Sequence, residues 1–270
     1  MKIIFHHVPK AAGSTFSASL YCHYKPNEVF RVSAKTKFER LSMLESLPQS
    51  CKVKLKLLLS HMPFGAHRVV GDDWHYYSIV RDPVKRVVSL YRYILAEPSH
   101  YLYDVCSQAG SIDEFINLPA AKEMRNEMTR YFLYPEQMDE DETVQDCHLA
   151  LAIENIEKHF PSVGLLERYD ESMVLFSLVF KHSPLYYLRL NKTSGTPRPL
   201  SDLDKKALAE ANSVDVKLYK YLRERFERQI VTEGIKIPED IERFQTQNSI
   251  YGKALFLLRI FMFKAREKVL

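Results

Sequence analysis

The sequence predicts an α/β fold in which a central parallel sheet lies between two layers of helices. Apolar segments with strand character alternate with segments of helical periodicity, a pattern typical of three-layer α/β/α folds. The first strand candidate, residues 2–8 (KIIFHHV), is mostly apolar, as expected for a strand buried on both faces. Polar residues follow three of the strands, where ligands bind in parallel sheets. The 270 residues fit a single domain with its core over about residues 2–230.

The other elements follow from the same patterns. Strands are predicted at residues 54–60, 75–80, 162–167 and 185–190, and helices from Ser14, at 35–47, 81–97, 143–158 and 170–182, from Ser201 and at 214–230. The helix at 81–97 is well marked, because Asp82 is a natural N-cap and Pro83 a natural first residue. Its predicted buried face carries Val84, Val87, Val88, Tyr91 and Leu95.

The positive charge is concentrated at the C-terminus. Residues 251–270 hold five basic residues and one acidic residue, a sum of +4 that equals the charge of the whole chain. Residues 1–250 are therefore formally neutral, which does not indicate a nucleic-acid-binding protein. The apolar and basic tail, about residues 249–270, predicts a helix that packs on the body, joins a dimer or lies on an anionic membrane surface. Packing against protein is favoured, because an apolar face needs cover.

The cysteines indicate a reducing compartment. Cys22, Cys51, Cys106 and Cys147 are scattered, without C-x-x-C pairs or metal-site spacing, so we expect free thiols and no metal. No signal peptide precedes the first strand, and no run of about 18 apolar residues could span a membrane. We expect a cytoplasmic protein, peripheral at the membrane if the tail contacts lipid.

The segment VPKAAGST, residues 8–15, follows the first strand and opens a helix. A Walker loop has its lysine directly after the second glycine, whereas here Lys10 precedes the only glycine, Gly13. Small residues let the main chain approach an anion, and the start of a helix offers free N–H groups and a positive dipole end. Alone, this segment fits a phosphate-binding loop and an ordinary turn equally well.

Two further strand ends carry polar chemistry. His61 follows the second strand in SHMPFGAH, where a general base would be useful, although a single histidine is more often structural. Arg81 ends a later strand, and Ser89 follows it by eight residues. These two could share a phosphate, unless Arg81 pairs with Asp82 or Asp73 instead.

In combination, the three motifs resemble those of sulfotransferases that use 3′-phosphoadenosine 5′-phosphosulfate (PAPS). VPKAAGST resembles their 5′-phosphosulfate loop, and RDPVKRVVSLY resembles their 3′-phosphate motif. The closest resemblance is to the carbohydrate branch, which includes the heparan sulfate 2-O- and 6-O-sulfotransferases and bacterial relatives. VGLLERYDESMVLF (163–176) and LRLNKTSGTPRP (188–199) resemble later blocks of that branch, so the resemblance covers about residues 2–230.

The resemblance implies a P-loop-like fold and in-line transfer of a sulfuryl group from PAPS to a hydroxyl of a glycan or glycolipid, without a metal. His61 would be the base, as is the histidine after the second strand in that branch, and Lys10 would neutralise the leaving oxygen. The main-chain amides of residues 13–15 would hold the 5′-phosphate. The residues expected to bind PAPS, or its product 3′-phosphoadenosine 5′-phosphate (PAP), are Lys10, Ala11, Ala12, Gly13, Ser14, Thr15, Arg81, Ser89 and Lys192.

The chain departs from the family pattern in two ways. The family loop usually has two glycines followed by threonines, whereas Ala12 and Ser14 stand in the second and fourth places of AAGST. Alanine is small and serine keeps the hydroxyl, so we expect binding to survive. The membrane anchor of the Golgi members is not seen, which fits a soluble bacterial-type enzyme. The alternatives are a P-loop nucleotide kinase, which would need a magnesium-binding acid, and a catalytically inactive PAP-binding module.

Residues 100–147, rich in tyrosine and acidic residues, are predicted to help line the acceptor cleft. Aromatic side chains there could stack on sugar rings, although core packing is the more common role of buried tyrosines. The candidates are Tyr101, Tyr103, Tyr131 and Tyr134, with His67 and Arg68 as further acceptor contacts. His7 lies beside the loop, but it fits a sheet edge equally well.

Overall fold

The computed structural model describes residues 1–31, 37–59, 61, 64–139, 141–181, 183–189 and 200–266. The strands are β1 (Lys2–His6), β2 (Val29–Phe30), β3 (Leu57–Leu58), β4 (Trp74–Val80) and β5 (Ser162–Leu165). They form one parallel sheet in the order β2-β3-β1-β4-β5, with Ile4 of β1 opposite Leu58 on one side and Tyr76 on the other. Helices cover both faces, which confirms the three-layer α/β/α prediction.

The α-helices are α1 (Gly13–Tyr21), α2 (Lys37–Glu45), α3 (Gln49–Lys52), α4 (His67–Val70), α5 (Pro83–Ala96), α6 (Tyr103–Gln108), α7 (Ile112–Asn117), α8 (Glu127–Tyr131), α9 (Asp146–His159), α10 (Tyr169–Val179), α11 (Asp202–Ala211), α12 (Ser213–Thr232) and α13 (Glu239–Arg266). Short 3₁₀ turns lie at Pro26–Glu28, Pro119–Met124, Pro135–Gln137 and Leu166–Arg168.

The core is divided by the sheet. Successive residues of a strand point to opposite faces, so Ile4 of β1 joins one apolar cluster while Ile3 and Phe5 join the other. Helices α8, α9 and α12 complete the first cluster, and α1, α10 and α13 complete the second. A third cluster lies between α5, α6, α7 and α11. The strands are thus buried on both faces, as their continuous apolar sequences predict.

The predicted strand at 185–190 is wrong over the residues that the structure describes, 185–189, which form no strand. Side chains of neighbouring helices bind its amides instead. The Leu185 N–H donates to Ser177 Oγ at 3.0 Å, and the Tyr187 N–H donates to Asn248 Oδ1 at 2.6 Å. The fifth strand is β2, whose two residues are too few to show a periodic pattern.

Helix α5 begins as predicted, but its buried face differs by one position. The Asp82 carboxylate accepts a hydrogen bond from the Lys85 N–H at 2.9 Å, and Pro83 is the first helical residue. Leu95, predicted to be buried, is 38% exposed, while Leu90 and Ile94 are buried against α6 and α7. Ile94 lies seven residues after Val87 and so continues its stripe, which Leu95 does not.

The predicted tail is the end of the longer helix α13. Gly252 lets this helix approach the body, because an added Cβ would lie 2.4 Å from the Tyr187 carbonyl oxygen. Leu257, one turn later, is exposed. In the described part of the chain, no helix is long and apolar enough to cross a membrane. Contact of the tail with lipid or with a second copy stays a prediction. The four cysteines are free thiols, as expected.

Candidate functional site

Three neighbouring strands bring the predicted motifs together. β1 lies between β3 and β4, and all three run in parallel, so their carboxyl ends meet at one edge of the sheet. The loop before α1 follows β1, His61 follows β3, and Arg81 follows β4 directly. This edge is where ligands bind in open parallel sheets.

The loop after β1 holds two residues in the left-handed region. Lys10 has φ 67° and Ala12 has φ 60°, a conformation that costs a residue with a side chain about 1–2 kcal/mol. Ala12 stands where the similar sulfotransferases usually have glycine, which adopts this conformation without strain. Strained backbone of this kind often marks a ligand-binding loop.

Helix α1 begins at Gly13, so its first amides are available to an anion. The first N–H groups of a helix have no partner within the helix. The Thr15 N–H, however, donates to the Ala12 carbonyl at 3.0 Å, so it closes the turn. The amides of Gly13 and Ser14 are therefore the better candidates of the three that the sequence suggested.

Lys10 and Arg81 converge on the loop. Arg81 Nη1 donates to the Lys10 carbonyl at 3.3 Å. Burial lowers the pKa of both side chains, and Arg81 lowers the pKa of Lys10 further. Two partly buried cations next to free amides favour a bound anion.

The alternative partners of Arg81 are engaged elsewhere. Asp73 pairs with Lys2 at 2.8 Å, and the Asp82 carboxylate caps α5. Across the described residues, burial lowers the pKa of Arg81, and the charges of Glu167 and Asp82 offset this in part without a direct hydrogen bond to the guanidinium. Apart from its bond to the Lys10 carbonyl, the Arg81 guanidinium is thus left for another anion.

Glu167 is a site residue that no sequence motif indicates. It follows β5, and its Oε1 accepts the Asp82 N–H at 3.2 Å while its Oε2 accepts the Tyr219 hydroxyl at 2.7 Å. These bonds tie the start of α5 to β5 and α12, and so hold the backbone that carries Arg81. Its place at a strand end next to β4 is the signal that could have identified it.

His61 stacks on His7, with ring centroids 3.9 Å apart and planes inclined by 24°. The His7 ring in turn lies on Gly13, where an added Cβ would come within 1.7 Å of Nε2. His7 is therefore not a sheet-edge residue. It fills the space between the loop and the predicted base.

The surroundings of His61 keep its imidazole neutral at pH 7. Burial and the charge of Arg40 lower its pKa, and a hydrogen bond to the main chain of His7 acts weakly in the opposite direction. Arg40 Nη1 also donates to the His61 carbonyl at 3.0 Å. A neutral imidazole held by one hydrogen bond can accept a proton at its other nitrogen, as a general base must.

Ser89 and Tyr93 lie on successive turns of α5. Ser89 is half-buried, and the Lys10 ammonium lies 4.2 Å from the centroid of the Tyr93 ring. This cation–π contact was not predicted, and it draws the Lys10 side chain along α5. Lys192, the remaining predicted PAPS contact, lies outside the described residues.

The predicted acceptor residues separate into two groups. Tyr101 and Tyr131 lie together beside the site, where Tyr101 donates to the Glu123 carboxylate. His67, by contrast, is buried against the Tyr76 hydroxyl at 3.1 Å. Arg68 pairs with Glu136 and lies over the ring of Tyr134, and Tyr103 is the first residue of α6. The group around His67 is held by contacts within the fold, and its contact with an acceptor stays a prediction.

Comparison with known proteins agrees with this geometry. The family model described as galactose-3-O-sulfotransferase matches residues 1–249. A search of curated proteins finds no significant match. The match covers β1 to the first part of α13 and includes every predicted donor residue. It supports the carbohydrate branch that the motifs indicated, without singling out the heparan sulfate 2-O- and 6-O-sulfotransferases.

Proposed function

Because the match covers most of its length, the chain belongs to the galactose-3-O-sulfotransferase family, and we propose that it sulfates a galactose hydroxyl of a glycan with PAPS as the donor. The family establishes a sulfotransferase that acts on carbohydrate. The donor, the base and the sugar position are the proposal. The observation that carries it is the meeting of Lys10 and Arg81 at the head of α1, with His61 on the neighbouring strand end.

The residues present fit a donor with two phosphates. The amides of Gly13 and Ser14 would hold the 5′-phosphate at the start of α1. Arg81 would grip the 3′-phosphate in a fork, with the Ser89 hydroxyl two helical turns further on. Glu167 keeps that arginine in place through the start of α5. PAPS supplies the sulfuryl group when it is bound.

The reaction is a displacement at sulfur. The acceptor oxygen forms a bond to sulfur while the bond from sulfur to the 5′-phosphate oxygen breaks. The proton of the acceptor hydroxyl passes to His61, and Lys10 neutralises the charge that grows on the leaving oxygen. A base of this kind is worth about 10²- to 10⁴-fold in rate.

Titration calorimetry with PAP, 5′-AMP and ATP tests the donor assignment. We expect PAP to bind most tightly, and Arg81→Ala to weaken PAP about 10-fold or more while 5′-AMP changes little, because only PAP carries the 3′-phosphate. Lys85→Ala, on the exposed side of α5, is the matched control. Tighter binding of ATP than of PAP would contradict the proposal.

A transfer assay tests the reaction itself. Sulfur-labelled PAPS and a panel of β-galactosides should give a labelled product, and methylation analysis should place the sulfate on the galactose ring. A chain that binds PAP but labels only acceptors without galactose would refute the acceptor assignment and leave the donor assignment intact.

A further inference from the structure

We infer that Tyr93 is a positioning residue whose aromatic face holds the Lys10 ammonium at the donor site in place of a carboxylate. The inference rests on the proposed function and deepens it, because it assigns a partner to the lysine that meets the leaving oxygen. It is supported by the contact between the two side chains, by the charges around Lys10 and by the bracing of the tyrosine ring.

The contact between Lys10 and Tyr93 joins two parts of the candidate site. Lys10 belongs to the loop after β1, and its ammonium lies 4.2 Å from the centroid of the Tyr93 ring. Tyr93 follows Ser89 by four residues on α5, so both lie on one face of that helix. A cation within about 6 Å of a ring centroid is attracted by the negative charge of the ring face. The ring therefore keeps the ammonium on the side of α5 that carries Ser89.

The surroundings of Lys10 otherwise oppose its positive charge. Burial lowers the pKa of Lys10, and the charge of Arg81 lowers it further. Among the described residues, no carboxylate forms an ion pair with Lys10, and the charge that acts on it is that of Arg81. The face of the Tyr93 ring is thus the contact that favours the charged form of the lysine.

A neutral partner suits this position better than a carboxylate. A carboxylate within ion-pair distance would neutralise Lys10 and would repel the phosphates of the donor. An aromatic face attracts the ammonium through its quadrupole and leaves the net charge of the site unchanged. Lys10 therefore keeps its full positive charge for the oxygen that leaves sulfur.

The Tyr93 ring is braced by the turn that follows α5. The ring of His100 packs against it at nearly a right angle, with centroids 5.8 Å apart. His100 is itself fixed, because its Nδ1 accepts the Leu102 N–H at 3.2 Å and its own N–H donates to the Glu97 carbonyl at 2.9 Å. Tyr93 is nevertheless 46% exposed, so its ring adds little to the core. A ring that is braced but exposed is suited to hold a long and flexible lysine side chain.

Turnover across a graded series of rings at position 93 tests this role. Tyr93→Phe should keep the rate of sulfate transfer within about 2-fold, whereas Tyr93→Leu should lower it about 3- to 30-fold and more than it lowers PAP affinity. Phenylalanines with one, two or three ring fluorines should lower the rate step by step, because fluorine withdraws negative charge from the ring face. Tyr93→Glu should also lower the rate, because it neutralises the ammonium.

The same fluorinated series at Tyr91 is the matched control. Tyr91 lies on the same helix, but its ring packs against Phe115, with centroids 5.8 Å apart, in the apolar cluster between α5, α6, α7 and α11. We expect fluorine at position 91 to leave turnover unchanged. Altered ring packing would affect both series, whereas a weaker cation–π contact affects position 93 alone.

A second measurement needs no turnover. NMR of the full chain with ¹³C-labelled lysine, without donor, gives the pKa of Lys10, whose signal is identified by its loss in Lys10→Met. We expect this pKa to be lower in Tyr93→Leu than in wild type or Tyr93→Phe, and to fall along the fluorine series, because the ring face stabilises the charged form. The nearby charges of Arg81, Glu167 and Asp82 are the same in all of these chains.

The outcomes separate this inference from the proposed function. Turnover that is independent of the ring at position 93, or that responds equally to fluorine at positions 91 and 93, would overturn the inference. A pKa of Lys10 that is the same in Tyr93→Leu and wild type would overturn it as well. A pKa that follows the ring series in a chain that transfers no sulfate would support the hold of Tyr93 on Lys10 and refute the proposed reaction.

Discussion

Two pairs of closely packed histidine rings lie among the residues that the structure describes, and only one of them lies at the candidate site. His7 and His61 have ring centroids 3.9 Å apart, and His67 and His159 have centroids 4.4 Å apart. In both pairs burial is the main cause that lowers the pKa values of the rings. Close ring packing and a lowered pKa are therefore shared by both pairs and do not identify a base.

The pairs differ in what surrounds them. In the second pair, each ring has a nitrogen within hydrogen-bond distance of a tyrosine hydroxyl. His67 Nδ1 lies 3.1 Å from the Tyr76 hydroxyl, and His159 Nε2 lies 3.1 Å from the Tyr134 hydroxyl. His61 instead lies between Arg40 and the loop that carries Lys10. A ring whose nitrogens are used by fixed partners stabilises the fold, whereas one beside cations at a strand end can act on a substrate.

The largest expected effect separates the two pairs directly. His61→Asn should reduce turnover about 10²- to 10⁴-fold, because the acceptor proton loses its base, while PAP affinity stays unchanged. His67→Asn should leave turnover per folded molecule unchanged and lower stability by about 1–3 kcal/mol, because the Tyr76 hydroxyl loses a buried partner. Steady-state kinetics and urea unfolding of both variants make the comparison.

The opposite effects of the two variants on turnover would exchange the roles assigned to the two histidine pairs. If His67→Asn abolished turnover at saturating PAPS, or if His61→Asn transferred sulfate at the wild-type rate, the first pair would lose its assignment as the catalytic one. His61→Gln serves as a second variant in case the asparagine disturbs the loop.

The next largest expected effect concerns the contact of Gly13 with His7, which holds His7 against His61. Gly13→Ala places a methyl group within 1.7 Å of His7 Nε2, so His7 must move and the stack with His61 must break. We expect turnover to fall at least about 10-fold and PAP to bind more weakly, since Gly13 also opens α1. Gly110→Ala meets only the flexible Glu114 carboxylate at 3.1 Å and should behave as wild type. Equal activity of the two variants would contradict the proposed role of Gly13.

The sequence predicted the strands and helices that position the site better than the side-chain contacts within it. The periodic segments identified β1, β4, β5 and α5, because long apolar runs and an Asp-Pro helix start are local signals. The motif residues Lys10, His61 and Arg81 follow from their positions after strands. Parallel topology then brings strand ends together whichever residues they carry.

Long-range contacts explain what the sequence could not predict. Nothing in SHMPFGAH shows that His61 belongs to the site and that His67, six residues later, belongs to the core. That difference depends on Arg40 and on Tyr134, which lie far away in the chain. Likewise, Glu167 reaches the start of α5 only because β5 lies next to β4. The segment 185–189 has strand composition, but side chains from two helices bind its amides.

The smallest expected effect is a pH dependence of stability that belongs to the second pair. The pKa of His67 is about 4 in the folded chain, against 6.5 as its ordinary value. On acidification, His67 of the unfolded chain therefore binds a proton before His67 of the folded chain does. The contribution of the neutral ring to the free energy of unfolding is complete above pH 6.5 and is lost as the pH falls towards 4. Allowing for solvent screening, His67 should account for about 1 kcal/mol of the stability lost between pH 7 and pH 5.

Urea unfolding of wild type and His67→Gln at these two pH values measures this share together with its coupling to His159, because contributions from titrating groups away from this pair cancel in the difference. His67→Gln should be less stable at pH 7 and should lose less stability on acidification. The same experiment on His61→Gln tests the comparison from the other side, since burial lowers the pKa of His61 as well. Equal losses in wild type and His67→Gln would mean that the tyrosine hydroxyls accommodate the charged ring, and the second pair would then contribute packing alone.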